Sequence, residues 1–247
     1  MIGEGKSAGP GIFITFEGGE GAGKTTHINF LSRALTQMGY DVLEVREPGG
    51  TSIGESLRTL VLDSDNATIA DQTELFIYEA ARAQLVKEVI IPALKADRVV
   101  LCDRFYDSTI AYQAAGRGLS RLFVQQANNF ACQGVHPCRT ILLTTGAGAE
   151  EGLERATHHG FADRLEQAGS NFHEAVNAAF LQIAEENPER VRVVSSAGPK
   201  PDTARAIFKE LADIFEWGDV DETFSPEFFE VIDQFDTRHK ATVIGAE

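Results

Sequence analysis

GIFITFEGGEGAGKTT, residues 11–26, decides the reading of this chain. Residues 11–17 are a short apolar run bounded by glycines, the pattern of a buried parallel strand, and a helical pattern over 23–38 follows. Between the two, Gly18-Gly19-Glu20-Gly21-Ala22-Gly23-Lys24-Thr25 satisfies GxxxxGK(S/T). Glycines let successive backbone N–H groups wrap a phosphate, and the start of the next helix adds its positive end. Lys24 then reaches the outer phosphates and Thr25 offers a hydroxyl to Mg2+. A glycine-rich turn that only capped a helix would leave Lys24 without a purpose. The strand–loop–helix context makes this a nucleotide-binding loop.

Working outward, similar apolar runs at 41–45, 98–102, 139–143 and 190–194 alternate with helical patterns at 54–62, 71–95, 107–114, 119–132, 169–186 and 200–217. The alternation predicts βαβ crossovers: an α/β P-loop NTPase fold with a five-stranded parallel sheet flanked by helices. Ligands then belong outside the carboxyl ends of the strands. The third run ends in RVVLCDR and puts Asp103 at that edge, where a metal-positioning carboxylate sits in phosphate-loop proteins. Alone, such an aspartate is as readily a helix cap; the loop beside it favours the metal role.

Composition narrows the partners. The chain has 247 residues, 43% apolar, with 22 basic against 37 acidic side chains, a net charge of −15. That charge repels polyanions and argues against nucleic acid and acidic membrane surfaces as partners. Three cysteines suit a reducing compartment, and Cys132, His136 and Cys138 lack the second ligand pair of a zinc site. Residues 1–10, MIGEGKSAGP, are a flexible start with no leader character, and no run approaches the roughly 18–20 apolar residues of a membrane span. A cytoplasmic protein is expected. Residues 218–247 form an acidic extension, net −6, whose Phe224, Phe228, Phe229, Ile232 and Phe235 lie on one face of a short helix. Such a face docks on its own domain, on a dimer mate or on another partner.

The loop leaves kinases, GTPases, and motor and transport ATPases open. No NKxD string for guanine is present and the chain is short for an oligomeric motor, so a small-molecule kinase leads. Arg46, Arg58, Arg82 and Arg104 lie at or near predicted strand ends or on the helices that follow, suggesting a site for a second anion, the phosphoryl acceptor. Tyr78 and Arg82 are four apart on one helix face, as are Ser108 and Tyr112, and together they describe a pocket for a base.

These segments resemble the thymidylate kinase family over residues 11–217. The strings, in family order, are FEGGEGAGKTT (16–26), REPGGT (46–51), GESLRTLVLD (54–63), TELFIYEAARAQL (73–85), DRFYDSTIAYQAAGRG (103–118) and GLERATHHGFADRLE (152–166). The resemblance implies phosphorylation of dTMP to dTDP by ATP with Mg2+, in a homodimer, with a lid at about 148–168. It implies a donor site from Gly18 to Thr26, and Mg2+ held through Thr25 and Asp103. Glu20 would contact the deoxyribose 3′-hydroxyl, Arg46 and Arg104 would hold the acceptor phosphate, and Arg58 would border the nucleotide. Tyr78 would stack on thymine, Arg82 would hydrogen-bond it, Ser108 would line its edge, and Tyr112 would fill the space of a ribose 2′-hydroxyl. Relatives with Gly at position 21 carry alternating lid arginines, whereas this chain has Thr157, His158 and His159 after Arg155. The catalytic positive charge then falls to Lys24 with Arg155 or Arg164. Two other readings are a kinase with relaxed base choice and a low-turnover nucleotide binder.

Overall fold

The computed structural model describes residues 11–145 and 164–234. Five strands form one parallel sheet: β1 (Ile12–Glu17), β2 (Val42–Arg46), β3 (Val99–Asp103), β4 (Arg139–Thr144) and β5 (Val191–Ser195), in the order β2-β3-β1-β4-β5. The connections leave central β1 to opposite sides of the sheet, which opens a crevice at its carboxyl end. Register places the loop and the two charged strand ends together: Phe16 pairs with Asp103, and Asp103 with Arg46.

Helix α1 (Lys24–Gln37) follows the loop, α2 (Ser52–Leu62) follows β2, and α3 (Asp71–Leu85) runs through a π-helical turn, Val86–Ile90, into α4 (Ile91–Lys95). Between β3 and β4 lie α5 (Tyr106–Thr109), a second π-helical segment Ile110–Gly116, and α6 (Arg121–Cys132). The last crossover carries α7 (Ser170–Glu186), and α8 (Lys200–Phe215) follows β5. The periodic pattern predicts one plain helix at 71–95 and one at 107–114; widened turns replace part of each, a change of hydrogen-bond ladder that leaves the apolar spacing almost untouched.

Alternation along β1 builds both layers. Ile14 and Phe16 face α1 and α8 in a core with Leu31 and Phe208, while Phe13 packs with Leu85, Ile90, Val100 and Phe105 on the opposite side. The acidic extension docks on its own domain: α9 (Val220–Thr223) and α10 (Pro226–Glu230) lie against α8, burying Val220, Phe229 and Ile232. Phe235 is outside the described residues, as are residues 146–163, which hold Arg155, Thr157, His158, His159 and most of the expected lid.

Candidate active site

Gly18 opens the loop at φ +138°, and a Cβ there would lie 2.3 Å from the Leu143 carbonyl oxygen, so only glycine fits between β1 and β4. Gly23, at φ +85°, turns the chain into α1. Lys24 is buried, and its Nζ donates to the carbonyls of Gly18 at 3.1 Å and Gly19 at 2.9 Å. Burial and the neighbouring Arg104 push its ammonium below the usual lysine range. Thr25 Oγ1 donates to Asp103 Oδ2 at 2.8 Å, bringing together two oxygens from the loop and the β3 edge.

One cavity of about 650 Å³ collects the site. Every predicted loop residue from Glu20 to Thr26 lines it, as do Arg46, Arg58, Tyr78, Arg82, Asp103, Arg104, Ser108 and Tyr112; Gly18 and Gly19 lie behind it as acceptors for Lys24. Arg46 and Arg58 converge, each donating to the Pro48 carbonyl, at 2.8 and 2.9 Å. Arg104 takes a left-handed backbone, φ +67°, with its N–H on Phe16 O. This turns its side chain back over the loop, where it donates to Gly18 O at 3.0 Å and to Glu20 Oε1 at 2.5 Å. Lys24 and Arg104 thus meet on one carbonyl, that of Gly18.

Tyr112 stands on the second π-helical segment. Its hydroxyl donates to Glu20 Oε1 at 3.0 Å, the Arg104 guanidinium lies 5.2 Å from its ring centroid, and Phe172 and Phe180 contact the ring by their edges. Burial alone would raise the Glu20 carboxyl, but Arg104, Lys24 and the Tyr112 hydroxyl bring it down to about 2. Three of the arginines grouped by charge in the sequence are therefore matched by carboxylates: Arg46 by Glu55, Arg82 by Glu47 and Glu79, Arg104 by Glu20.

Three assignments look different in three dimensions. Ser108 lines the cavity, but its hydroxyl donates to Glu17 Oε2 at 2.6 Å, and Thr109 stands next to it on the cavity wall. Arg82 is fully buried with all five guanidinium hydrogens engaged by protein acceptors. Arg164 is not on the cavity wall: Nε donates to Val61 O at 3.0 Å and Nη2 to Glu74, which also receives Gln113 and Arg117. Its neighbour Leu165 does line the cavity.

Glu17, Glu47, Gln113 and Lys200 carry no role that the motifs assign. Glu17 is buried at the end of β1 and accepts the N–H groups of Phe105 and Ser108, fixing the start of α5. Burial, then Asp107, push its carboxyl up to about 7. The signal was available, because Glu17 ends an apolar strand as Asp103 does. Glu47 and Gln113 stood inside REPGGT and AYQ; Lys200 carried no signal.

A family model described as "Thymidylate kinase" matches residues 16–207. The chain belongs to the thymidylate kinase family. It is 45% identical to the thymidylate kinase of Pelobacter propionicus over 207 residues, covering 81% of this chain and 94% of that one. It is 44% identical to the Geotalea uraniireducens enzyme, covering 80% and 94%, and 42% identical to that of Deinococcus radiodurans, covering 82% and 97%. A solved thymidylate kinase from Ehrlichia chaffeensis superposes with a TM-score of 0.66 at 31% identity, over 82% of this chain and 99% of the other. The extension from 218 onward lies beyond the matched family segment.

Proposed function

We infer that this chain transfers the γ-phosphoryl group of ATP to the 5′-phosphate of dTMP. An oxygen of the acceptor phosphate forms the new bond to the γ-phosphorus as the bond to the β–γ bridging oxygen breaks, giving dTDP and ADP. The observation that carries the reading is the meeting of Lys24 and Arg104 on the Gly18 carbonyl. The acceptor is already an anion, so no strong general base is needed, and positioning with charge stabilisation carries the step.

Lys24 follows the outer phosphates of ATP, and Arg46 and Arg104 hold the acceptor phosphate, with Arg58 bordering the nucleotide. The hard oxygens of Thr25 and Asp103 suit Mg2+ and would hold it. Mg2+ bound there neutralises charge on the ATP phosphates. Tyr78 stacks on the base, and Arg82 and Ser108 border its edge. Tyr112, locked by Glu20 and two phenylalanines, fills the space a ribose 2′-hydroxyl would need. Of the two remaining arginines, Arg155 is the better source of catalytic charge, because Arg164 is committed to Glu74 and the end of α2.

We further propose a cytoplasmic homodimer with no nucleic-acid partner. Free Cys102, Cys132 and Cys138 suit a reducing compartment, and among the described residues no helix is long and apolar enough to cross a membrane. Exposed Phe76 on α3 meets exposed Phe123 on α6 edge-on, with Leu122 and Phe130 also exposed, an apolar surface that a second copy would cover. Phosphorus NMR of the protein with ATP, Mg2+ and dTMP tests the reaction directly. The expected result is equal growth of dTDP and ADP; ADP with inorganic phosphate and no dTDP would show hydrolysis instead.

A further inference from the structure

Arg82 crosses the base end of the cavity with no spare hydrogen. Its Nε and Nη2 both donate to Glu47 Oε2, at 2.9 and 2.6 Å; Nη2 also reaches Thr109 Oγ1 at 2.9 Å, and Nη1 reaches Asn128 at 2.7 Å and Glu79 at 3.1 Å. The Phe105 ring lies 5.3 Å beneath the guanidinium carbon. The hold is uneven. Glu47 grips one edge through two charge-assisted bonds to a single oxygen, whereas the contact to Glu79 is the longest of the set. Glu47 lines the cavity; its Oε1 is buried without a hydrogen-bond partner, and both hydrogen bonds from Arg82 fall on the other oxygen, Oε2.

We propose that Glu47 is a positioning residue for recognition of the nucleobase, acting through Arg82: it is the pivot that fixes the guanidinium plane, leaving the Nη2 hydrogen now held by Thr109, a cavity-wall residue, as the one that yields to a ring carbonyl. The proposal rests on the reading of this cavity as the nucleoside monophosphate site. Burial of Glu47, which pushes its carboxyl up to about 7 against the pull of Arg82, marks how strongly the environment resists a charge kept there for one partner. Glu79 touches the same guanidinium but is not part of the cavity wall, so it serves as the internal control.

The test is steady-state kinetics and dTMP calorimetry on Glu47→Gln, Glu79→Gln, Arg82→Lys and the double variant Glu47→Gln/Arg82→Lys, each at full chain length. Glu47→Gln raises KM for dTMP about tenfold, the scale of one charge-assisted bond, leaving KM for ATP and kcat within about twofold. Glu79→Gln has a smaller effect. The double variant binds dTMP no more weakly than Arg82→Lys, because the pivot then has nothing to position. Should Glu47→Gln not fold, Glu47→Asp, which withdraws the carboxylate by one methylene, gives the same split. An unchanged KM for dTMP, equal losses for ATP and dTMP, or additive losses in the double variant would overturn the proposal. Absence of dTMP-dependent turnover in the unaltered protein would instead refute the kinase reading.

Discussion

At the residue scale the site is a set of ion pairs arranged around small differences in burial. Glu17 and Glu20 lie three residues apart and move in opposite directions, Glu17 up to about 7 and Glu20 down to about 2, because Glu17 faces burial and Asp107 while Glu20 faces Arg104 and Lys24. The sign for stability follows. Between pH 4.5 and 7 the folded state holds a proton on Glu17 that the unfolded chain has released, so its contribution falls as pH rises through that window. The Glu20 contribution is present above pH 4.5 and is lost toward pH 2. Thermal melts of Glu17→Gln should lose part of the decline in Tm between pH 5 and 7.5; an unchanged pH profile would show that Glu17 does not titrate there. Arg155→Ala is expected to lower kcat by about a thousandfold or more, the lower end of the range for a transition-state arginine, whereas Arg164→Ala acts mainly on Tm. Single-turnover kinetics and calorimetry on the pair separate the two roles. The sequence made these arginines visible as cations, and Glu55 and Glu79 stand near Arg46 and Arg82 along the chain, but Glu47 and Glu20 lie 35 and 84 residues from Arg82 and Arg104, and only the fold joins those pairs.

At the element scale, the segment from Arg104 to Gly116 does most of the positioning. A left-handed Arg104 aims its side chain at the loop, Glu17 pins the start of α5, and the widened turn after Thr109 carries Tyr112 and Gln113. Tyr112→Ala should raise kcat/KM for the ribonucleotide relative to dTMP about tenfold or more, since the ring excludes a hydroxyl by sterics and desolvation. A preserved preference for the deoxyribonucleotide in that variant would remove the role. Strand and helix positions were legible to within a residue or two, because buried parallel strands such as RVVLC have no polar alternation to confuse them. The π-helical turns were not legible, since an inserted residue in the ladder leaves the same apolar side chains in the same order. Ser108 shows the matching limit at a site: spacing put it on the face of Tyr112, while its hydroxyl is claimed by Glu17, whose partner status no local pattern encodes.

On the scale of the whole molecule, the net charge of −15 surrounds a site built for small anions, and the acidic extension is structural as well as charged. Trp217 stacks between Phe208 and Phe215, and Phe224, Phe228 and Phe229 close around Phe208 and Phe30. Burying Val220, Phe229 and Ile232 contributes about 1.5–3 kcal/mol each at most. Removing residues 219–247 should therefore lower Tm by about 10 °C or more while leaving KM for ATP and dTMP within about twofold. Sedimentation of the same truncated protein gives its oligomeric state, with no change expected, because the exposed aromatic surface on α3 and α6 lies elsewhere. The whole chain has one measurement that matters most: initial rates of ADP release with dTMP, dUMP, dGMP and AMP as acceptors. The expected result is rapid release with dTMP and little with AMP or dGMP. Comparable rates with all four, or tight dTMP binding without release, would contradict it.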